Sequence, residues 1–481
     1  MSKKIIYLLS LLMALSLVFA SCKKNGTGDI TGDLTTPPTD NETGKDDADV
    51  ETGLFEQWDK IPQDTYIKEY EILRNNGTDF YRNPVVVSLG DGHVFLFAEL
   101  RYKRQGAAND VGIDGEGAVD IIYKVSANSG YDWDSQTYYV VGNSQEIADA
   151  HGAPNVFLLS DNKTIVVVAS AGGGIGRTSK TIEEGKTASR IDYVVGTING
   201  KTITWDPNGW QEVKVGQESI LSKIQNTDAG GSASEKFNQY GTAQGRGVVL
   251  SSGKDILLSV VVANQGKTTP SSAIRELMGR YLLKGTVAGN TITWQQVEQP
   301  IAYTTTPMNL GPWKETQLYS GNESTPKFFV VPSPWTGNPQ FKLGKTSGVQ
   351  SSTPKAPDST SIPASEGTAG YVDLTGKWFG KNEYNPVNLT QTTTPAQNRS
   401  IFLHVANTSR NLTMYVLDNS SDNFTQQGNS WKISDVGKSS SVDVLPDGTI
   451  IYAAEQGGTD RDYKLYFYRY SQYYIANKTG N

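Results

Sequence analysis

Short apolar runs recur along the whole chain, each closed off by Gly, Asn, Asp, Ser or Pro. They include "NVFLLS", "TIVVVAS", "DYVVGTI", "ILLSVVVA", "KFFVVPS", "SIFLHVA", "LTMYVLD", "SVDVLP", "TIIYAAE" and "KLYFYRY". Runs of this length, rich in β-branched and aromatic residues and bounded by turn formers, predict strands rather than helices. The stretch "DFYRNPVVVSLGDGHVFLFAELRY" (79–102) is the plainest case. Val85–Leu89 and His93–Ala98 read as two strands, and "GDG" between them supplies the positive φ angles of a tight hairpin turn. Arg82 stands before the first strand, and the second ends on Glu99 and Arg101, so charge gathers at one end of the hairpin. Helical spacing is confined to "GLFEQWDKI" near 55, "QESILSKIQN" near 220 and "SSAIRELMGRYL" near 275. With 49 glycines in 481 residues, the pattern predicts an all-β sandwich, barrel or propeller.

An internal repeat narrows the choice. "GTINGKTITW", ending at Trp205, and "GTVAGNTITW", ending at Trp294, agree at seven of ten positions. Each predicts two strands about a glycine-containing turn with a terminal tryptophan, an aromatic motif of the kind that recurs once per blade. "SANSGYDW" (126–133) is similar to the Asp-box, S-x-D-x-G-x-x-W, with Asn128 in place of its aspartate. Such a hairpin ties its turn to its own backbone and packs its tryptophan between blades, a structural role. The expected architecture is a six-bladed β-propeller over residues 55–481, with no further domain boundary.

The first residues change the picture of where the protein works. "MSKK" is a basic start, "IIYLLSLLMALSLVFA" an apolar stretch of signal-peptide length, and a serine precedes Cys22, the only cysteine. Residues 1–22 are similar to a bacterial lipoprotein signal, which implies lipidation of Cys22 and a location in the cell envelope, at the outer membrane or cell surface. Phe19 stands where the lipobox usually has leucine. With Cys22 acylated, no thiol remains for a disulfide, a zinc cluster or a nucleophile. Residues 23–54 hold almost no large apolar side chain and predict a disordered tether. The net charge of −7 argues against nucleic acid as a partner. The three histidines, His93, His151 and His404, lack metal-ligand spacing and are read as structural or surface residues, so neither metal nor cofactor is expected.

"YRNP" (81–84), "FAELRY" (97–102) and "VDIIYKVSANSGYDW" (119–133), taken in order, resemble the start of the sialidase and trans-sialidase family, which opens with [FY]-R-I-P, continues through FAE-x-R and reaches an Asp-box. The similarity runs on through "NQYGTAQGRGVVLSSGKDILLSV", "KETQLYSGNESTPKFFVVPS", "SRNLTMYVLD" and "SSSVDVLPDGTIIYAAE", covering roughly residues 75–470. The resemblance implies hydrolysis of terminal sialic acid on glycoconjugates by a monomer. It makes Arg82 the first and Arg410 the third of three arginines that grip the sugar's carboxylate, with Arg101 beside them. A planar guanidinium suits that task because it binds a carboxylate bidentately and stays charged. The resemblance also implies Asp114 as general acid, with Asp110 as runner-up, and Glu315 as the base serving a nucleophilic tyrosine.

Asn83 stands where the opening motif usually has isoleucine. Two departures bear on the chemistry. No arginine occurs at Val331–Ser333, where the second of the three belongs, although Arg246, Arg275 or Arg280 would be substitutes from another position. "KSSSVDVLPDG" places Ser439 or Ser440 where the tyrosine is expected. Two readings therefore stand side by side: an exo-sialidase with a rearranged site, and a propeller that kept glycan binding or an interaction role and lost hydrolysis.

Overall fold

A computed structural model describes residues 68–102, 117–143, 145–172, 174, 189–225, 228–230, 235–265, 276–302, 316–320, 327–330, 340–345, 362–363, 370–374, 378, 399–405, 411–418, 425–426, 430–434, 437–446, 448–457 and 464–480. Among these residues six sheets of four or more strands form the six blades of a β-propeller. Blade 1 runs outward from Asp79–Ser88 through Val94–Tyr102 and Val119–Ser126 to Tyr138–Tyr139. Blade 2 is built on His151–Leu158, Thr164–Gly172 and Ser189–Asn199, and blade 3 on Gln239–Thr242, Asp255–Gln265, Glu276–Ala288 and Thr291–Ala302. Blade 4 begins with Thr316–Ser320, blade 5 with Gly370–Asp373 and blade 6 with Ser440–Val444.

The inner strand of blade 1 touches the inner strands of both blade 6 and blade 2, which closes the ring. Closure is completed at the rim of blade 6, where Lys68–Arg74 pairs antiparallel with Lys464–Tyr470. Strands Thr164–Gly172 and Asp255–Gln265 are nearly continuous apolar runs because both of their faces pack against neighbouring blades. Phe157, Val166, Val168, Ile256, Leu258 and Val260 fill the space between blades 2 and 3, while Val85, Phe95, Phe97, Ile121 and Val167 fill that between blades 1 and 2.

The repeated hairpins do the same job at two successive junctions. Tyr123 of blade 1 accepts a hydrogen bond from the Ile203 N–H (3.2 Å) and meets Trp205 edge-on. Tyr193 of blade 2 accepts one from Ile292 N–H (3.3 Å) and meets Trp294 edge-on. A Cβ at Gly196 would lie 2.5 Å from Ile203 and 2.7 Å from Trp205, and one at Gly285 would meet Ile292 and Trp294 as closely. The glycines of the repeat thus make room for its own isoleucine and tryptophan.

The Asp-box-like hairpin behaves as its sequence implies. The Ser126 hydroxyl accepts from the Gly130 N–H (2.8 Å), and Asn128 Oδ1 accepts from the Asp132 N–H (2.7 Å), so the asparagine ties the turn as an aspartate would. Trp133 stands edge-on to Phe467 of blade 6. Arg469 of the same strand donates to the Ser129 carbonyl (2.6 Å) and lies over the Tyr131 ring.

Two helical expectations meet different fates. Residues near 220 form a single turn, Ile220–Ile224, capped by Ser219. Residues 276–288 of "SSAIRELMGRYL" and beyond are instead a strand, paired on both sides within blade 3. A helix absent from the sequence reading, Gln472–Thr479, has Ser471 as its N-cap and Gly480 in the left-handed conformation at its end. "GLFEQWDKI", Cys22 and the whole of the 23–54 tether lie outside the described residues.

Candidate functional site

Arg82 lies inside the blade 1 inner strand, which begins at Asp79 and not after Arg82 as the sequence suggests, and it sits at a β-bulge. Pairing with the second strand shifts register between Arg82 and Val85, and Asn83 within that shift has φ 54°. The cause is local: Pro84 has no N–H to give to a ladder, and asparagine tolerates the left-handed region better than most residues. Blade 2 repeats the device, with a register shift between Gly152 and Asn155 and φ 51° at Ala153, again directly before a proline.

Each bulge is caught by an acceptor from the second strand of the preceding blade. The Asn83 N–H donates to Glu455 Oε1 of blade 6 (2.5 Å), and the Ala153 N–H donates to Glu99 Oε1 of blade 1 (2.6 Å). At the next junction the Thr242 N–H donates to the Ser170 hydroxyl (2.9 Å). Three consecutive inner strands are therefore hung on their neighbours at one end of the propeller axis.

Two of these acceptors also hold arginines. Arg82 Nε lies 3.1 Å from Glu455 Oε1, with side chains 6% and 0% exposed. Arg101 Nε donates to Glu99 Oε2 at 2.6 Å, and this pair is also buried. Burial pushes the Glu99 carboxyl upward. The Arg101 charge, the Ala153 N–H and the Asn83 side chain outweigh it and leave Glu99 below its ordinary value. A third cluster lies in blade 2. His151 Nε2 is 3.0 Å from Asp192 Oδ2, Arg190 Nε contacts both Asp192 oxygens, and Trp210 stacks on the imidazole at 4.2 Å. Burial raises Asp192, and the hydrogen bonds and charges of His151 and Arg190 prevail to lower it.

These shifts have a sign. A carboxylate held below its unfolded value contributes stability that is present above that value and lost as pH falls through the folded one. Thermal melts should show stability falling as the pH drops from about 5 through the carboxylate range. Glu99→Gln should melt lower than wild type at pH 7 and lose less between pH 7 and pH 3. A parallel decline in the two proteins would contradict the assignment.

Among the residues singled out by sequence, Arg82 and Arg101 occupy one end of blade 1, and Glu99, which holds Arg101, stands across the ladder from Arg82. Asp114, Asp110, Glu315, Arg410, Arg275 and Val331–Ser333 lie outside the described residues. The strand ends that flank several of them are described. Tyr102 and Val119 flank 103–116 at the Arg82 end of blade 1, and Glu315 directly precedes the inner strand of blade 4. Arg246 does not join Arg82. Its Nε is 3.2 Å from Asp443, which accepts from Ser88 N–H at the far end of the blade 1 inner strand.

Of the two serines at the expected tyrosine position, Ser440 accepts from the Gly370 N–H of blade 5 at 3.3 Å, and Ser439 lies beside Arg82's partner. Its N–H faces Glu455 Oε2 (3.4 Å), and its hydroxyl donates to Asn83 Oδ1 at 2.7 Å. Glu455 and Asn83 were not singled out as functional by the sequence reading. The available signal was a carboxylate closing the apolar run "TIIYAAE" and a polar residue wedged before a proline. His151 is buried against Asp192 and Trp210, while the side chain of His404 is not described. Among the described residues no group of His, Cys, Asp and Glu is arranged to hold a metal ion.

No protein-family model matches the sequence, and no curated protein matches it. Solved structures do. Trypanosoma rangeli sialidase in complex with sialic acid aligns over 84% of this chain and 58% of its own, at 14% identity and a TM-score of 0.52. Hadza microbial sialidase Hz136 aligns over 81% of this chain and 65% of its own, at 12% identity and 0.53. The NanB sialidase from Streptococcus pneumoniae aligns over 84% and 70%, at 9% identity and 0.54. The chain therefore spans less than two thirds of the length of the first two. It is an all-β propeller with a divergent sialidase-like fold.

Proposed function

We propose that this protein recognises terminal sialic acid on glycoconjugates at the Arg82 end of the propeller axis, as an exo-sialidase-like lipoprotein of the cell envelope held by a lipid on Cys22. The observation that carries the reading is the pair of buried arginine–glutamate units, Arg82–Glu455 and Arg101–Glu99, at one end of blade 1. A guanidinium held beside a buried carboxylate, by an Nε hydrogen bond in Arg101 and by an ion pair in Arg82, is pre-oriented toward a second carboxylate, such as the one on the anomeric carbon of sialic acid. The sialic-acid-bound Trypanosoma rangeli sialidase supports the ligand class through its shared fold.

A specific observation favours binding over turnover. A nucleophilic hydroxyl needs a base to take its proton. The Ser439 proton is directed at an amide oxygen, Asn83 Oδ1, which is no base. Cleavage of a fluorogenic α-sialoside by the full chain is accordingly expected to be weak or absent, and any residual rate should survive Ser439→Ala. Robust turnover abolished by Ser439→Ala would overturn the binding reading. Robust turnover abolished by a single Tyr→Phe change would instead identify an intact enzyme with its nucleophile elsewhere.

A further inference from the structure

Blade 2 carries an arginine held by a carboxylate in the way that Glu99 holds Arg101. Arg190 Nε–H donates to both oxygens of Asp192, at 2.8 and 2.9 Å, and the two residues stand two apart on one strand, as Glu99 and Arg101 do. Asp192 is itself fixed from behind. His151 Nε2 lies 3.0 Å from its Oδ2, His151 Nδ1 lies 2.7 Å from the Asp149 carbonyl, and Trp210 stacks on the imidazole. The Arg190 side chain is 35% exposed where that of Asp192 is 4% exposed, and among the described residues nothing hydrogen-bonds its terminal amino groups. The fork is thus oriented from below and open to solvent, the arrangement that suits bidentate capture of a carboxylate.

The register sets Arg190 across from Arg101. Side chains alternate along a strand, so Glu99 and Arg101 continue the face of Phe95 and Phe97, and Asp192 and Arg190 continue that of Val194. These apolar residues share the core between blades 1 and 2. The hydrogen bond from Ala153 N–H to Glu99 brings the two blades to a common level. Arg101 is two residues beyond Glu99 toward the strand end, and His151 is two residues beyond Ala153 in the same direction. His151 pairs with Ala171, which pairs in turn with Arg190. Two guanidinium groups therefore line one junction at the Arg82 end, Arg101 on the second strand of its blade and Arg190 farther out on the third. Neighbouring strands lie about 4.8 Å apart, so the third runs roughly 10 Å from the inner one, and the Asp192 bonds keep the Arg190 guanidinium over its own strand. A group that reaches it belongs to the next sugar, not to one seated on the axis.

We propose that Arg190 is a second acid-binding position, which takes the carboxylate of the sugar adjoining a terminal sialic acid, so that the favoured ligand is a glycan ending in two successive sialic acids. The terminal sugar rests on the function proposed above.

The test is calorimetric titration of the full chain with the methyl α-glycoside of N-acetylneuraminic acid and with the methyl glycoside of the α2,8-linked disialoside. Wild type should bind the disialoside about tenfold more tightly, the scale of one hydrogen bond to a charged group. Arg190→Gln should bring that ratio close to one, and Arg190→Lys should keep part of it. Arg82→Lys should weaken both ligands and preserve the ratio. Asp192 retains His151 in both Arg190 variants, and a thermal melt of each checks that the propeller stays folded. Equal affinity of the wild type for the two sialosides overturns the proposal, as does a ratio that Arg190→Gln leaves unchanged. Equal weakening of both ligands in Arg190→Gln overturns it too, because it assigns Arg190 to the first carboxylate. A wild type that binds neither sialoside refutes the acid-sugar function and this inference with it, whereas binding of the monosialoside with no preference for the disialoside refutes this inference alone.

Discussion

Glu455→Ala is expected to destabilise the protein by about 3–5 kcal/mol, the usual cost of removing one member of a buried ion pair and leaving the other charged. Three losses combine. Arg82, itself buried, loses its counter-charge at 3.1 Å. The Asn83 N–H loses its acceptor at a bulge that the ladder does not otherwise satisfy. Ser439 loses the acceptor for its N–H. All three groups sit where blade 6 meets blade 1, the junction that closes the ring, so urea denaturation should show a lowered midpoint for the whole propeller. Glu455→Gln provides the control. It keeps the shape and one acceptor oxygen and should recover part of the loss, while an alanine variant as stable as wild type would mean that the pair carries no weight in closure.

The shape of the propeller was largely legible in the sequence because blade strands are local signals. Val85–Leu89 and His93–Ala98 alternate with turn residues closely enough to give their hairpin away, and the Gly196 and Gly285 repeats mark corresponding hairpins. Glu276–Ala288 was misread for the opposite reason. "AIRELMGRYL" has good local helix formers, and only pairing with Asp255–Gln265 and Thr291–Ala302 forces it to extend. The Gln472–Thr479 helix carried its caps in plain view, Ser471 and Gly480, but a polar, tyrosine-rich interior hid its period.

The site divides along the same line. Arg82, Glu99 and Arg101 share one hairpin, so charge gathering at its end was visible at once. Glu455 belongs to the last blade, and its partnership with Arg82 depends on ring closure, which no local pattern encodes. Asn83 looked like a defect in a motif. Its contacts with Glu455 and Ser439 of blade 6 and with Gln244, just past Gln239–Thr242, make the same substitution a joint between blades.

The second large effect concerns ligand affinity. Arg82→Lys preserves a positive charge for Glu455 and should leave the fold intact, yet it replaces a planar two-pronged donor with a single ammonium. Binding of an α-sialoside should weaken by about 1.5–3 kcal/mol, or roughly 10- to 150-fold, the worth of a hydrogen bond to a charged group. The measurement that tests the central claim most directly is a calorimetric titration of the full chain and its Arg82→Lys variant with methyl α-N-acetylneuraminoside and with the methyl ester of that sugar, which has lost the negative charge. The account predicts binding of the acid by the wild type, with a loss in Arg82→Lys, and weak binding of the ester that the substitution hardly changes. Equal affinity for acid and ester, or an acid affinity indifferent to Arg82, would contradict it.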